Sequence, residues 1–272
     1  MTFLKTLDIG ADDPQAPADA MVRLRRGDLG AIVLRDVFPA AALAALPPKL
    51  ASNDFDLIKT TFPPAFHAYF YGINLNLADP DMDAYFAAEP DFREKLAQID
   101  FGGAPLQGRI SSVLSRLDEG RPYGAAPGAA AGQQHFFTTI RAHLTGGYIP
   151  PHFDNEAAVR PTYRHISALC DHDIYSFVLC IDQAEAGGAL DIYDLDAAKG
   201  ADSFRNRDGG RGKPDLSQVE KTSIRLQPGE MVILHSSRYL HGVSKVEGDR
   251  TRWTVCSFMA LSKDGSQVFC WG

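Results

Sequence analysis

From about residue 135 onward the chain consists of short β-branched or aromatic segments closed by Gly, Pro or Asp. They are Phe136–Leu144, Ser176–Asp182, Ala189–Asp194, Ser223–Leu226, Met231–His235 and Arg252–Leu261. Such residues fit a pleated, half-buried surface, and many short strands at this spacing predict a sandwich or jelly roll. The first half reads differently. Ala31–Leu34 is a short buried strand ended by Phe38-Pro39, and Ala40–Leu50 a helix cut short by Pro47 and Pro48. Asp79–Ile99 has helical spacing with a break at Pro90, and Leu106–Leu117 is an amphipathic helix. Gly120–Gln134, rich in Gly, Ala and Pro, reads as a loop. Residues 197–217 are too polar and Gly-rich for a core strand and read as a long surface loop, a candidate lid. The expectation is one α+β domain over 1–272. In it, 1–134 is mainly helical support and 135–272 a double-stranded β-helix, or jelly-roll, core.

Composition narrows the function classes. With 45% hydrophobic and 22% charged residues among 272, the chain is of ordinary globular type. Its net charge of −7 and lack of Lys or Arg runs argue against a nucleic-acid partner. The N-terminus has no basic-then-apolar signal pattern, and no apolar run approaches the roughly 20 residues of a membrane span. Cys170, Cys180, Cys256 and Cys270 show no C-x-x-C spacing and sit in apolar segments. A cytoplasmic, reduced protein with a small-molecule substrate is expected.

The strand-rich half carries His152-Phe153-Asp154, a distant His241, and then Arg250 and Arg252. Residues i and i+2 of a strand share a face, so His152 and Asp154 are expected to point into the core together. Two imidazoles and one carboxylate suit a non-haem Fe(II) site whose opposite face stays open. Pro150 and Pro151 stiffen the approach. His241 and the Arg pair are expected on neighbouring antiparallel strands. By period two, Arg250, Arg252 and Thr254 share a face, where an Arg fork can bind a carboxylate and the Thr hydroxyl can add a bond. His143 could face the same interior, and His235 is a decoy in the same strand-turn-strand unit. A zinc site or a non-catalytic metal-binding jelly-roll module are the alternatives.

At this point the chain resembles a known group, the Fe(II)/2-oxoglutarate-dependent oxygenases. Within them it is similar to the standalone aliphatic halogenases and hydroxylases of the welwitindolinone and hapalindole alkaloid type. The likeness runs through Arg35-Asp-Val-Phe-Pro39, Tyr71-Gly72, Asp83-Ala-Tyr-Phe86, Thr139-Ile-Arg141, His152-Phe-Asp-Asn155, Glu185-Ala-Gly-Gly188, Pro228-Gly-Glu-Met231, Arg238-Tyr239, His241, Val243-Ser-Lys-Val246 and Trp271. The resemblance implies a jelly roll with Fe(II) held by His152, Asp154 and His241, and with 2-oxoglutarate and O2 as co-substrates. It places the co-substrate Arg at Arg252, other branches placing it nearer Arg250, and sets Ser176 beside the iron.

Two departures bear on the chemistry. The halogenases carry Gly where this chain has Asp154, and that vacancy admits chloride to the iron. A carboxylate there implies hydroxylation, or another oxidative outcome such as desaturation, instead of halogenation. The stretch after Tyr71-Gly72, which packs the apolar substrate in the alkaloid enzymes, here reads Ile73-Asn74-Leu75-Asn76. Buried amides need partners, so Asn74 and Asn76 imply a polar substrate unless both serve the backbone in a turn. Arg141 could bind a substrate carboxylate, support the co-substrate or pair with a structural acid. Phe153, beside the ligands, could help close the site.

Overall fold

The computed structural model describes residues 3–199 and 215–272. Most of the stretch 197–217, and with it the lid reading, lies outside them. The described residues form two main sheets. The larger, ten-stranded, runs in the order β1 (Thr6–Gly10), β2 (Ala31–Arg35), β12 (Met231–Leu234), β8 (Tyr175–Asp182), β15 (Arg252–Leu261), β6 (Thr139–His143), β4 (Ala68–Tyr71) and β3 (Lys59–Thr61). Strand β16 (Val268–Trp271) pairs with β15 and with β5 (Tyr123–Ala125). The smaller runs β11 (Lys221–Ile224), β10 (Leu190–Asp196), β13 (Tyr239–Val243) and β7 (Ile149–His152). A two-stranded ribbon joins β14 (Val246–Glu247) to β9 (Ala186–Gly187).

Period two sorts the larger sheet into two faces. Ile32, Leu34, Phe177, Leu179, Ile233, Trp253 and Val255 enter one apolar cluster. Further members come from the helices α1 (Ala20–Arg26), α2 (Ala40–Leu43), α3 (Leu46–Ser52), α4 (Asp83–Ala97) and α5 (Leu106–Arg116). In α5 the buried set Leu106, Ile110, Val113 and Leu114 makes the single stripe such a helix needs. The intervening residues Val33, Val178, Cys180, Val232 and Leu234 instead meet Leu190 and Ile192 of β10. Helices therefore cover one face of the larger sheet and the smaller sheet the other. The metal-ligand candidates lie between the sheets.

Several expectations are corrected. The N-terminal half is more than helical support, since β1 to β5 all belong to the larger sheet. Tyr123–Ala125, expected as loop, is a strand because β16 offers it a parallel edge. Pro47 and Pro48 open α3 instead of ending α2, occupying the first turn where a missing N–H costs nothing. Helix α4 runs through Pro90, because Tyr85, Glu89, Phe92 and Leu96 form one buried stripe across it. His241 and Arg252 are not on neighbouring strands. Strand β13 pairs with β10 and β7, whereas β15 pairs with β8, β6 and β16 in the other sheet. After β13 the chain turns through β14 and crosses over, so the two side chains approach from opposite sheets.

Candidate metal centre

Strand β7 ends on His152, whose direct cross-strand partner is His241 of β13. Their ring centroids are 4.5 Å apart. His152 Nδ1 lies 2.9 Å from the Pro150 carbonyl and His241 Nδ1 3.0 Å from the Tyr239 carbonyl. A carbonyl only accepts, so each Nδ1 carries the proton and each Nε2 presents a lone pair. Both lone pairs converge on Asp154, whose Oδ1 is 3.2 Å from His152 Nε2 and 3.8 Å from His241 Nε2.

Asp154 does not continue the strand as the i, i+2 spacing predicts. It opens a 3₁₀ turn, Asp154–Val159, and its N–H donates to the Ser236 carbonyl at 3.1 Å. That turn brings the carboxylate in front of the two rings. Burial opposes its ionisation, but His241 and His152, in the forms that carry a proton on Nε2, and Ser236 outweigh this and hold the carboxyl well below the usual range. Its Oδ2 is buried and has no hydrogen-bond partner. The three donors lie within 4.8 Å of one another. Two imidazole lone pairs and an underbonded carboxylate at this separation fit a divalent cation, and the N, N, O donor set fits Fe(II).

A cavity of about 60 Å³ between the sheets starts at the triad and is walled by Arg141, Ser176 and Asn74 among others. Arg141 of β6 rests 4.7 Å over the Phe70 ring, its Nε is buried without a partner, and no ion pair holds it among the described residues. Asn74 is buried, and its Oδ1 accepts from Asn76 N at 3.0 Å, a turn-forming use of the side chain. Asn76 Oδ1 is buried and unpartnered. Phe153 packs with Leu195 and Leu240 beside the ligands.

The two Arg candidates are placed very differently. Arg250 is half exposed and makes a two-point ion pair with Asp182, one contact being Nε to Oδ2 at 2.9 Å. Arg252 is 3% exposed, and no carboxylate pairs with it among the described residues. Its Nη1 lies 3.4 Å from His143 Nδ1, and its Nε has no partner. Burial pulls its pKa down; burial, and after it the charges of Arg252 and Arg141, push the His143 pKa far down and keep that ring neutral. In the β15–β6 register Arg252 faces His143 and Thr254 faces Arg141, so all four share the inner face. Thr254 Oγ1 sits 3.4 Å from Cys256 Sγ. His235 packs on the Tyr175 ring, at 4.4 Å between centroids, and is not among the three metal donors.

Residues 3–272 match the family described as carrier-protein-independent halogenase WelO5. The chain belongs to this family. It is thereby an oxidoreductase of the Fe(II)/2-oxoglutarate oxygenase class. No curated protein matches it. Among solved structures it is similar to an N-substituted L-amino acid dioxygenase from Burkholderia ambifaria AMMD, with a TM-score of 0.56 at 15% identity, over 93% of this chain and 90% of that one. The non-heme alpha-ketoglutarate-dependent carbocyclase SnoK from nogalamycin biosynthesis gives 0.53 at 11%, over 92% and 88%. The epimerase SnoN from the same biosynthesis gives 0.51 at 13%, over 92% and 84%. At such identities these likenesses establish a shared fold.

Against the WelO5 family setting, two site residues carry roles that sequence reasoning did not assign. Gly188 has φ +63°, and a Cβ there would meet Arg252 Cδ at 2.8 Å. Its missing side chain is what lets Arg252 lie as it does. The Gly187-Gly188 pair was the available signal. Ser236, next to the decoy His235, supplies the carbonyl that fixes Asp154. Nothing in its local sequence announces this.

Proposed function

We propose that this protein is an Fe(II)- and 2-oxoglutarate-dependent dioxygenase that hydroxylates an unactivated C–H bond of a small, polar metabolite. Its two facing sheets are read as the double-stranded β-helix of one catalytic domain spanning 1–272. His152, Asp154 and His241 would hold the iron. Bound there, iron with 2-oxoglutarate and O2 supplies the oxidising power for C–H attack, with succinate and CO2 as by-products. Everything else falls to the chain's own groups. Arg252, buried without a counter-ion among the described residues, would receive the far carboxylate of 2-oxoglutarate, with Thr254 beside it and Arg250 excluded by its commitment to Asp182. Arg141 adds a second positive charge to the same wall. The buried walls exclude water, and Ser176 and Asn74 offer polar groups near the reacting face.

The observation that carries hydroxylation over halogenation is Asp154. Its Oδ1 fills the third donor position beside both Nε2 atoms. The halogenases that this chain resembles carry Gly at that position, so the carboxylate here would occupy the place a halide needs. Four buried free cysteines support a reducing, cytoplasmic setting. No helix among the described residues is long and apolar enough to cross a membrane.

The test is a substrate screen read by succinate formation, followed by product mass with excess chloride. The expected product gains oxygen and no chlorine. Asp154→Gly is expected to lose hydroxylation and, with chloride, to yield chlorinated product. Chlorinated product from the unmodified protein would overturn the reading.

A further inference from the structure

The triad has a second opening. Beyond the inter-sheet cavity, with which it shares Ile149, His152 and Asp154, lies an open vestibule of about 380 Å³. Its wall is Phe62, Pro63, Phe66, Leu77 and Phe153, with Arg160 and Asn76 as its polar members. Phe62 and Phe66 pack edge to face at 5.1 Å, and Phe62 also contacts Phe70 at 5.0 Å. The Phe62 and Phe66 rings remain partly exposed although the inner core is well sealed. Rings held in place and left uncovered beside a reactive centre form a slot for a flat apolar group.

Arg160 gives the slot a charge preference. Its Nη1 donates to the Asn76 carbonyl at 2.5 Å, which ties the guanidinium across the vestibule. No ion pair engages it among the described residues, and the only carboxylate on the wall, Asp154, belongs to the triad. In a chain of net charge −7, a tethered arginine with no acidic partner among the described residues, at the mouth of an aromatic slot, is an anion-recognition element. Asn76 Oδ1, unpartnered on the same wall, can accept one further bond.

We infer that the vestibule binds the substrate, that this substrate combines a flat apolar body with an anionic group, carboxylate or phosphate, and that Arg160 is the residue selecting for the charge. The inference rests on the oxygenase reading and narrows its polar substrate to one whose polarity is confined to a single anionic end. The apolar body lies along Phe62, Phe66 and Phe153 towards the triad. The anion stays at the rim, so the bond attacked belongs to the uncharged end.

The experiment measures equilibrium binding of 2-naphthoate, 2-naphthyl phosphate and neutral 2-naphthamide. The protein is held anaerobically with Fe(II) and saturating 2-oxoglutarate, which fills the inner cavity first. The visible band formed by Fe(II) and 2-oxoglutarate before any probe is added reports the oxygenase reading separately. At least one anion is expected to bind about tenfold or more tightly than the amide, the ratio a charge-assisted bond confers. Arg160→Ala, at an exposed position, should abolish that preference and Arg160→Lys should retain part of it. Phe66→Ala should weaken anion and amide alike. Comparing the two anions identifies the charged group. Equal binding of anions and amide, a preference that survives Arg160→Ala, or binding of none of the three would overturn the inference, even where the band forms.

Discussion

Two buried ionic groups in this molecule are built in opposite ways. Asp118, fully buried, receives Arg25 through two contacts, Arg121 Nη1 at 2.7 Å and the Tyr123 hydroxyl at 2.9 Å. It ties α1 and the end of α5 to β5, and every charge in it has a partner. Among the described residues Arg252, equally buried, has a neutral histidine at 3.4 Å, an idle Nε and a second arginine without an ion pair on the neighbouring strand. Burying a charge without its partner costs several kcal/mol. A fold keeps such a cost where a ligand of opposite charge repays it. The closed cluster therefore serves stability, and under the proposed function the open one would receive 2-oxoglutarate.

The contrast can be broken in order of expected effect. His241→Ala, or metal removal with a chelator, should abolish succinate formation and bound iron, with Fe(II) restoring only the unmodified protein. Asp118→Ala should destabilise the fold by about 3–5 kcal/mol in denaturant titrations, because it strands Arg25 without its partner. Its 2-oxoglutarate requirement should stay unchanged once folded. Arg252→Gln should do the reverse. The 2-oxoglutarate concentration for half-saturation should rise by roughly 10–100-fold, the value of a charge-assisted contact, while unliganded stability holds or increases. Gly188→Ala should raise the same half-saturation several-fold by displacing Arg252 Cδ, and cost about 1 kcal/mol for a side chain at positive φ. Arg250→Ala should be the mildest. It loses one half-exposed ion pair, about 1 kcal/mol, with no change in 2-oxoglutarate affinity. A large affinity loss there would move the anchor to Arg250 and dissolve the contrast.

The candidate metal donors could be picked out in the sequence because residue type and order carry that information. His152, Asp154 and His241 form the one cluster of possible metal donors found among the described residues. Strand β15 was legible too, with eight of its ten residues apolar or β-branched, which leaves few alternatives. What stayed hidden depends on pairing between distant segments. Nothing near Arg250 reveals that Asp182 neutralises it, and nothing near Tyr123 reveals the β16 edge. Period two put Arg250 and Arg252 on one face. Only the tertiary partner of each separates a surface ion pair from a buried vacant charge. Asn74 shows the same limit, since a turn cap and a pocket wall have one sequence signature and this residue serves as both.

The most direct test of the central claim is anaerobic titration of 2-oxoglutarate into Fe(II)-loaded protein, followed by the visible charge-transfer band. The unmodified protein should give a saturable band, His152→Ala none, and Arg252→Gln the same band displaced to higher concentration. A protein that binds iron without ever forming the band, or an Arg252→Gln titration that overlays the original, would contradict it.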